Sequence, residues 1–184
     1  EMHRASWYQD HTARDLGSKL HHMFEAKVTG QTPHPEGEAE LGHYKAFTDW
    51  LTDYEPECLL TEVTVANLTW GYAGTLDWVA LIEGAVTLGD FKTGYLKSPF
   101  FEPKLQTSAY AKAEFAITDE GERVELPAIE QIAVLGTSAE GAYSYNVLPF
   151  DFESFAAIKH IFHAMGPKKS VCTQACPVCK GVTP

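Results

Sequence analysis

Two strand-like runs, residues 71–82 and 85–92, meet at the dipeptide Glu83-Gly84, and this junction constrains the fold more than any other stretch. A two-residue link containing glycine, set between runs rich in valine, leucine and isoleucine, specifies a tight β-hairpin. Within the runs lie Gly74-Thr75-Leu76-Asp77 and Asp90-Phe91-Lys92-Thr93-Gly94. Side chains alternate across a strand, so Asp90 and Lys92 share one face and Phe91 takes the other. The hairpin brings Asp77 and Asp90 together at one end of the sheet. Two carboxylates with an ammonium beside them suit a divalent cation and the hydrolysis of a phosphodiester.

The remaining periodicity supplies the layers around this hairpin. A helix is expected over residues 7–27, where Leu16, Leu20, Met23 and Phe24 recur at three- and four-residue spacing. A second is expected over 38–54, with Leu41, Tyr44, Phe47, Trp50 and Leu51 on one stripe and Pro56 stopping it. Residues 58–67 read as a strand, 103–115 as a helix, 129–137 and 142–148 as another hairpin. A final helix is expected over 151–165, with Asp151 as its N-cap. This order predicts an α/β (α+β) domain with a central mixed β-sheet flanked by helices. The helix after the third strand makes a crossover and sets the next strand parallel. One domain is expected over residues 1–167, followed by a cysteine-rich tail over 168–184. A helix-like pattern is already under way by Trp7, so residues upstream of Glu1 are expected as well.

Composition narrows the partners. The formal net charge is −11, from 14 lysines and arginines against 25 aspartates and glutamates. That argues against a surface that binds nucleic acid by charge alone. It leaves room for a nuclease, because metal ligands account for part of the negative charge. Any DNA contact is then local, and Lys92, Lys97, Lys104 and Lys112 are the candidates for it. No apolar run is long enough to span a bilayer. Of the four cysteines, Cys58, Cys172, Cys176 and Cys179, three crowd into the tail. This is not the dispersed spacing of a secreted disulfide framework, and a reducing, cytoplasmic setting is expected.

Four motifs now stand in order: Gly17-Ser18-Lys19-Leu20-His21, Gly74-Thr75-Leu76-Asp77, Asp90-Phe91-Lys92-Thr93-Gly94 and Gln106-Thr107-Ser108-Ala109-Tyr110. With them the chain resembles the RecB-like branch of the PD-(D/E)XK nucleases, which includes phage-type exonucleases and CRISPR-associated RecB-like nucleases. The resemblance implies a restriction-endonuclease-like core and a metal-dependent DNA exonuclease acting in phage or bacterial recombination and repair. In host cytoplasm such an enzyme would meet DNA and a recombinase or another recombination protein, as a single chain or an oligomer. It implies one or two Mg2+ or Mn2+ ions on Asp77, Asp90, His21 and the Phe91 carbonyl. Lys92 would orient the attacking water or offset charge on phosphorus. Gln106 and Tyr110, four residues apart on one helix face, would look toward the site. Glu62 enters as an outer-shell or metal carboxylate. A register one residue off would make His22 the ligand instead, and Glu25 would steady the imidazole or simply face solvent. Some members hold a [4Fe–4S] cluster on three C-terminal cysteines and one that precedes the histidine motif. Cys172, Cys176 and Cys179 would supply the three, with zinc as the rival occupant. No cysteine precedes His21 here; Cys58, His160, His163 or upstream sequence would complete the set. The alternative role is a weakly active or inactive DNA-binding or assembly subunit of a larger recombination complex.

Overall fold

The hairpin forms where the sequence requires it. In the computed structural model, which describes residues 2–94, 97, 100–118 and 121–165, β1 spans Glu57–Asn67, β2 Tyr72–Ile82 and β3 Ala85–Thr93. The link between β2 and β3 has Glu83 at φ 50 and Gly84 at φ 84. Two consecutive positive φ values are the signature of a type I′ turn, whose twist matches that of the strands it joins. Across this hairpin Trp78 pairs with Gly89, and a Cβ on Gly89 would lie 1.7 Å from the indole. Glycine is therefore needed there to make room for the ring.

The sheet has seven strands. β4 (Phe115–Ile117), β5 (Arg123–Val124), β6 (Gln131–Thr137) and β7 (Tyr143–Leu148) complete the order β5-β4-β1-β2-β3-β6-β7. β3 and β6 are parallel and the other pairs antiparallel. The sheet is thus mixed, as expected, and helices flank it. α1 (Met2–Val28) and α2 (Glu38–Tyr54) cover one face, where Leu20, Phe24, Phe47, Trp50, Trp78 and Phe91 form a shared core. Phe24 stacks on Phe47 at 4.2 Å and meets Phe91 edge-on at 4.9 Å, and each such ring pair adds about 0.5–1.5 kcal/mol beyond its area burial. α3 (Phe101–Tyr110) covers the other face, over Val65, Leu76, Val79, Leu88 and Ile132. α4 (Phe152–Ala164) packs on α3. Its N-cap is Asp151, whose carboxylate accepts from the Ser154 N–H and pairs with Lys104 of α3 at 2.6 Å.

Two expectations are corrected. The helix expected over 103–115 begins two residues earlier and ends at Tyr110. Phe115 instead opens β4, paired with Ala66. The cause is tertiary: Asn67 donates to the Lys112 carbonyl, and Glu114 accepts from the Leu68 and Thr69 N–H groups. These bonds pull residues 112–114 onto the end of β1. Leu41, expected on the apolar stripe of α2, is 58 % exposed. Its neighbour His43 is buried instead, with Nδ1 2.8 Å from Thr137 Oγ1. Among the described residues no helix is long and apolar enough to cross a membrane. Cys172, Cys176, Cys179 and the tail over 168–184 lie outside the described residues.

Candidate metal centre

The site grows from a fork in the sheet. The ladder between β2 and β3 stops at Trp78–Gly89. Beyond that point β2 stays with β1 as far as Tyr72, and β3 stays with β6 as far as Thr93. The strands part, and Asp77 and Asp90 stand at the opening. Asp77 Oδ2 accepts from the Phe91 N–H at 2.7 Å, so a side chain replaces the next ladder bond. This sets the Phe91 peptide against the first carboxylate while its ring stays in the core. On the other arm Tyr110 of α3 lies over Gly74, where a Cβ would sit 2.2 Å from the phenol oxygen.

Three side chains from three elements converge at the fork: His21 of α1, Glu62 of β1 and Asp77 of β2, with one donor atom from each within 4.8 Å of the others. His21 Nδ1 is 3.4 Å from Glu62 Oε1 and 3.7 Å from Asp77 Oδ1. The imidazole is braced edge-on against Phe91. Glu62 is held at φ 49 inside a strand, with its neighbours Thr61 and Val63 paired to Trp78 and Leu76. A left-handed non-glycine residue costs on the order of 1–3 kcal/mol and persists only where the surroundings force it. Here it turns the carboxylate toward His21.

Asp90 stands beside the trio and not within it. Lys92, two residues on and on the same strand face as expected, places Nζ 2.8 Å from Asp90 Oδ1 and 2.7 Å from Oδ2. The expected set is therefore split in two: a converging His21–Glu62–Asp77 group and an adjoining Asp90–Lys92 ion pair.

Burial governs the electrostatics. Asp77 is pushed up to about 7, by burial first and then by the charge of Asp90, against the pull of His21, the Phe91 N–H and Lys92. Burial likewise raises Asp90, and Lys92 opposes it. For His21, burial favours the neutral ring, but the bond to Glu62 and the charges of Asp77 and Glu62 outweigh it and the net shift is upward. The site resists holding its own negative charge, and a bound cation would relieve that. The donor set suits one: Mg2+ and Mn2+ take carboxylate oxygen, and Mn2+ also takes imidazole. Asp77 Oδ1 is the oxygen left to face His21, since Oδ2 serves Phe91.

The other expected residues divide clearly. Gln106 Nε2 lies 3.4 Å from Tyr110 Oη on one face of α3, and burial raises the Tyr110 phenol, with Asp77 and Asp90 adding to it. His22 is 80 % exposed and 3.7 Å from Glu25, outside the trio; the imidazole at the cluster is that of His21. Lys104 is engaged by Asp151, while Lys97 and Lys112 are exposed. Cys58, His160 and His163 are exposed, and the tail cysteines they were expected to join lie outside the described residues. The bend at Glu62 carries no sequence signal, because nothing in Thr61-Glu62-Val63 demands a positive φ. No protein-family model matches this chain, and neither does any curated protein.

Proposed function

We propose that the chain is a divalent-metal-dependent deoxyribonuclease of the RecB-like PD-(D/E)XK type, acting as an exonuclease in phage or bacterial recombination and repair. The observation that carries this reading is the meeting of His21, Glu62 and Asp77 beside an Asp90–Lys92 pair. His21, Glu62 and Asp77 would hold the cation, with Asp90 and the Phe91 carbonyl joining from the next strand. A bound Mg2+ or Mn2+ supplies Lewis acidity to the scissile phosphate and lowers the pKa of a water. Lys92, aimed by Asp90, orients that water and offsets charge building on phosphorus. The oxygen of the water forms a P–O bond as the bond to the departing oxygen breaks; the water gives up one proton to solvent and the departing oxygen takes one from solvent. Tyr110 and Gln106 line the β2 arm of the fork, where a DNA backbone would pass.

Purified protein is expected to degrade linear DNA with Mg2+ or Mn2+. Asp90→Ala and Lys92→Ala are expected to stop it while leaving the fold intact by circular dichroism. Full metal-dependent activity in both variants would refute these roles. For the tail, iron or zinc absorption distinguishes a [4Fe–4S] cluster from a zinc site on Cys172, Cys176 and Cys179. One observation favours the second reading, an assembly subunit beside a recombinase: Ile161, Phe162 and Met165 of α4 and its C-cap are 55 %, 64 % and 81 % exposed. Cleavage that appears only with a partner protein would support that role.

A further inference from the structure

A trough of about 400 Å³ opens beside the metal-binding trio and shares Glu62 with it. One wall is α1, through His22 and Glu25. The other is the sheet edge, where Leu60 and Val63 of β1 meet Ile117 of β4. Its chemistry is uneven. The sheet side is mixed, with Leu60, Val63, Ile117 and Val124 beside the hydroxyl-bearing Thr61 and Thr118, and the charged groups lining it are the carboxylates of Glu25 and Glu62. Among the described residues no lysine or arginine lines it. A phosphate finds no cationic partner there and meets the carboxylate of Glu25, whereas a flat, uncharged heterocycle finds both aliphatic contact and hydroxyl partners. The volume has room for one nucleobase with its sugar, and the trough meets the cluster at Glu62.

From this geometry we infer a base-binding subsite: the trough takes the unstacked base of the nucleotide next to the cleaved phosphate. The inference rests on the proposed nuclease function and extends it to substrate recognition. A base that enters has left its stack and its pair at that one nucleotide. Leu60, Val63 and Ile117 then act as specificity-determining contacts, and the cation need not bear the whole of substrate alignment.

A double-substitution cycle tests it by equilibrium binding, with Ca2+ in place of the catalytic ion. The probes are a short oligonucleotide and the same oligonucleotide with one abasic position, walked along the strand. At one position, loss of the base is expected to weaken binding to the wild-type protein by about tenfold, as for a single stacked base. Ile117→Trp, which fills the trough, is expected to weaken the intact oligonucleotide by a similar factor and to make the abasic change nearly silent. His22→Trp fills the opposite wall from an exposed position and repeats the test without touching the core. Affinity for Mn2+, read by calorimetry, is expected to stay at the wild-type value in both variants. Undiminished abasic penalties in both variants would overturn the subsite alone. Failure to bind any oligonucleotide, with Mn2+ binding intact, would overturn the nuclease reading along with it.

Discussion

Glu62 shows at the scale of one residue what the site costs. Its φ of 49 is an unfavourable backbone state for glutamate, and its carboxylate faces His21 at 3.4 Å. Glu62→Gly removes both the strain and the proposed ligand. The variant is expected to be more stable than wild type without metal, by about 1 kcal/mol once the extra entropy of glycine is subtracted. It is also expected to bind Mn2+ at least about tenfold more weakly. Denaturant melts and calorimetry check the two halves, and equal stability with equal affinity would refute the assignment. Asp77 is the second such residue. Its carboxyl titrates at about 7 in the fold against 3.8 ordinarily, so between these values the native state binds more protons than the unfolded one. The contribution of Asp77 to the stability of the metal-free protein then falls as pH rises through that window and is flat above it. Asp77→Asn keeps an acceptor for the Phe91 N–H and carries no charge. In EDTA it is expected to come close to wild type near pH 4 and to exceed it by up to about 4 kcal/mol at pH 8, at about 1.4 kcal/mol for each pH unit between the two values. An advantage over wild type that is equal at both pH values would contradict the shift.

The elements explain what could be read in advance. α2 fell on residues 38–54 as expected because Phe47 and Trp50 recur at helical spacing and Pro56 follows. The β2–β3 hairpin was equally legible, because Glu83-Gly84 leaves few other turns. β4 was not: residues 115–117 are apolar enough to extend a helix, and only the pull of Asn67 and Glu114 makes them a strand. The trio was partly legible. His21 and Asp77 come with motif glycines, but the convergence of Glu62 depends on a backbone kink that local sequence does not encode. The contact between Tyr110 and Gly74 joins two motifs that looked independent. It implies a packing constraint between α3 and β2. Gly74→Ala is expected to destabilise the fold by about 1–3 kcal/mol, the usual range for an inserted methyl. In a Tyr110→Ala background the same change is expected to cost much less, since the obstructing phenol is gone. Additive losses in thermal melts would mean that the two elements are not in contact there.

At the scale of the whole molecule the issue is how a protein of net charge −11 would hold the polyanion of the proposed reaction. Long-range attraction is absent, and repulsion reaches roughly 10 Å at 0.1 M salt. Near the fork Lys92 is paired with Asp90 and Lys104 with Asp151. Lys97 and Lys112 are exposed and able to meet phosphates. Each phosphate neutralised by the protein adds about −0.7 to the slope of log affinity against log salt for single strands, and about −0.9 for duplex. With two such lysines the slope is expected to be no steeper than about −2. Binding is instead expected to require a divalent ion, which would offset the charge of the carboxylates in the His21–Glu62–Asp77 cluster. Anisotropy measurements between 50 and 300 mM salt, with and without Ca2+, decide the matter. The expected result is negligible binding in EDTA and a shallow slope with Ca2+. Tight binding in EDTA, or a slope steeper than about −4, would mean that a basic surface carries the DNA and that the cation at the fork does not.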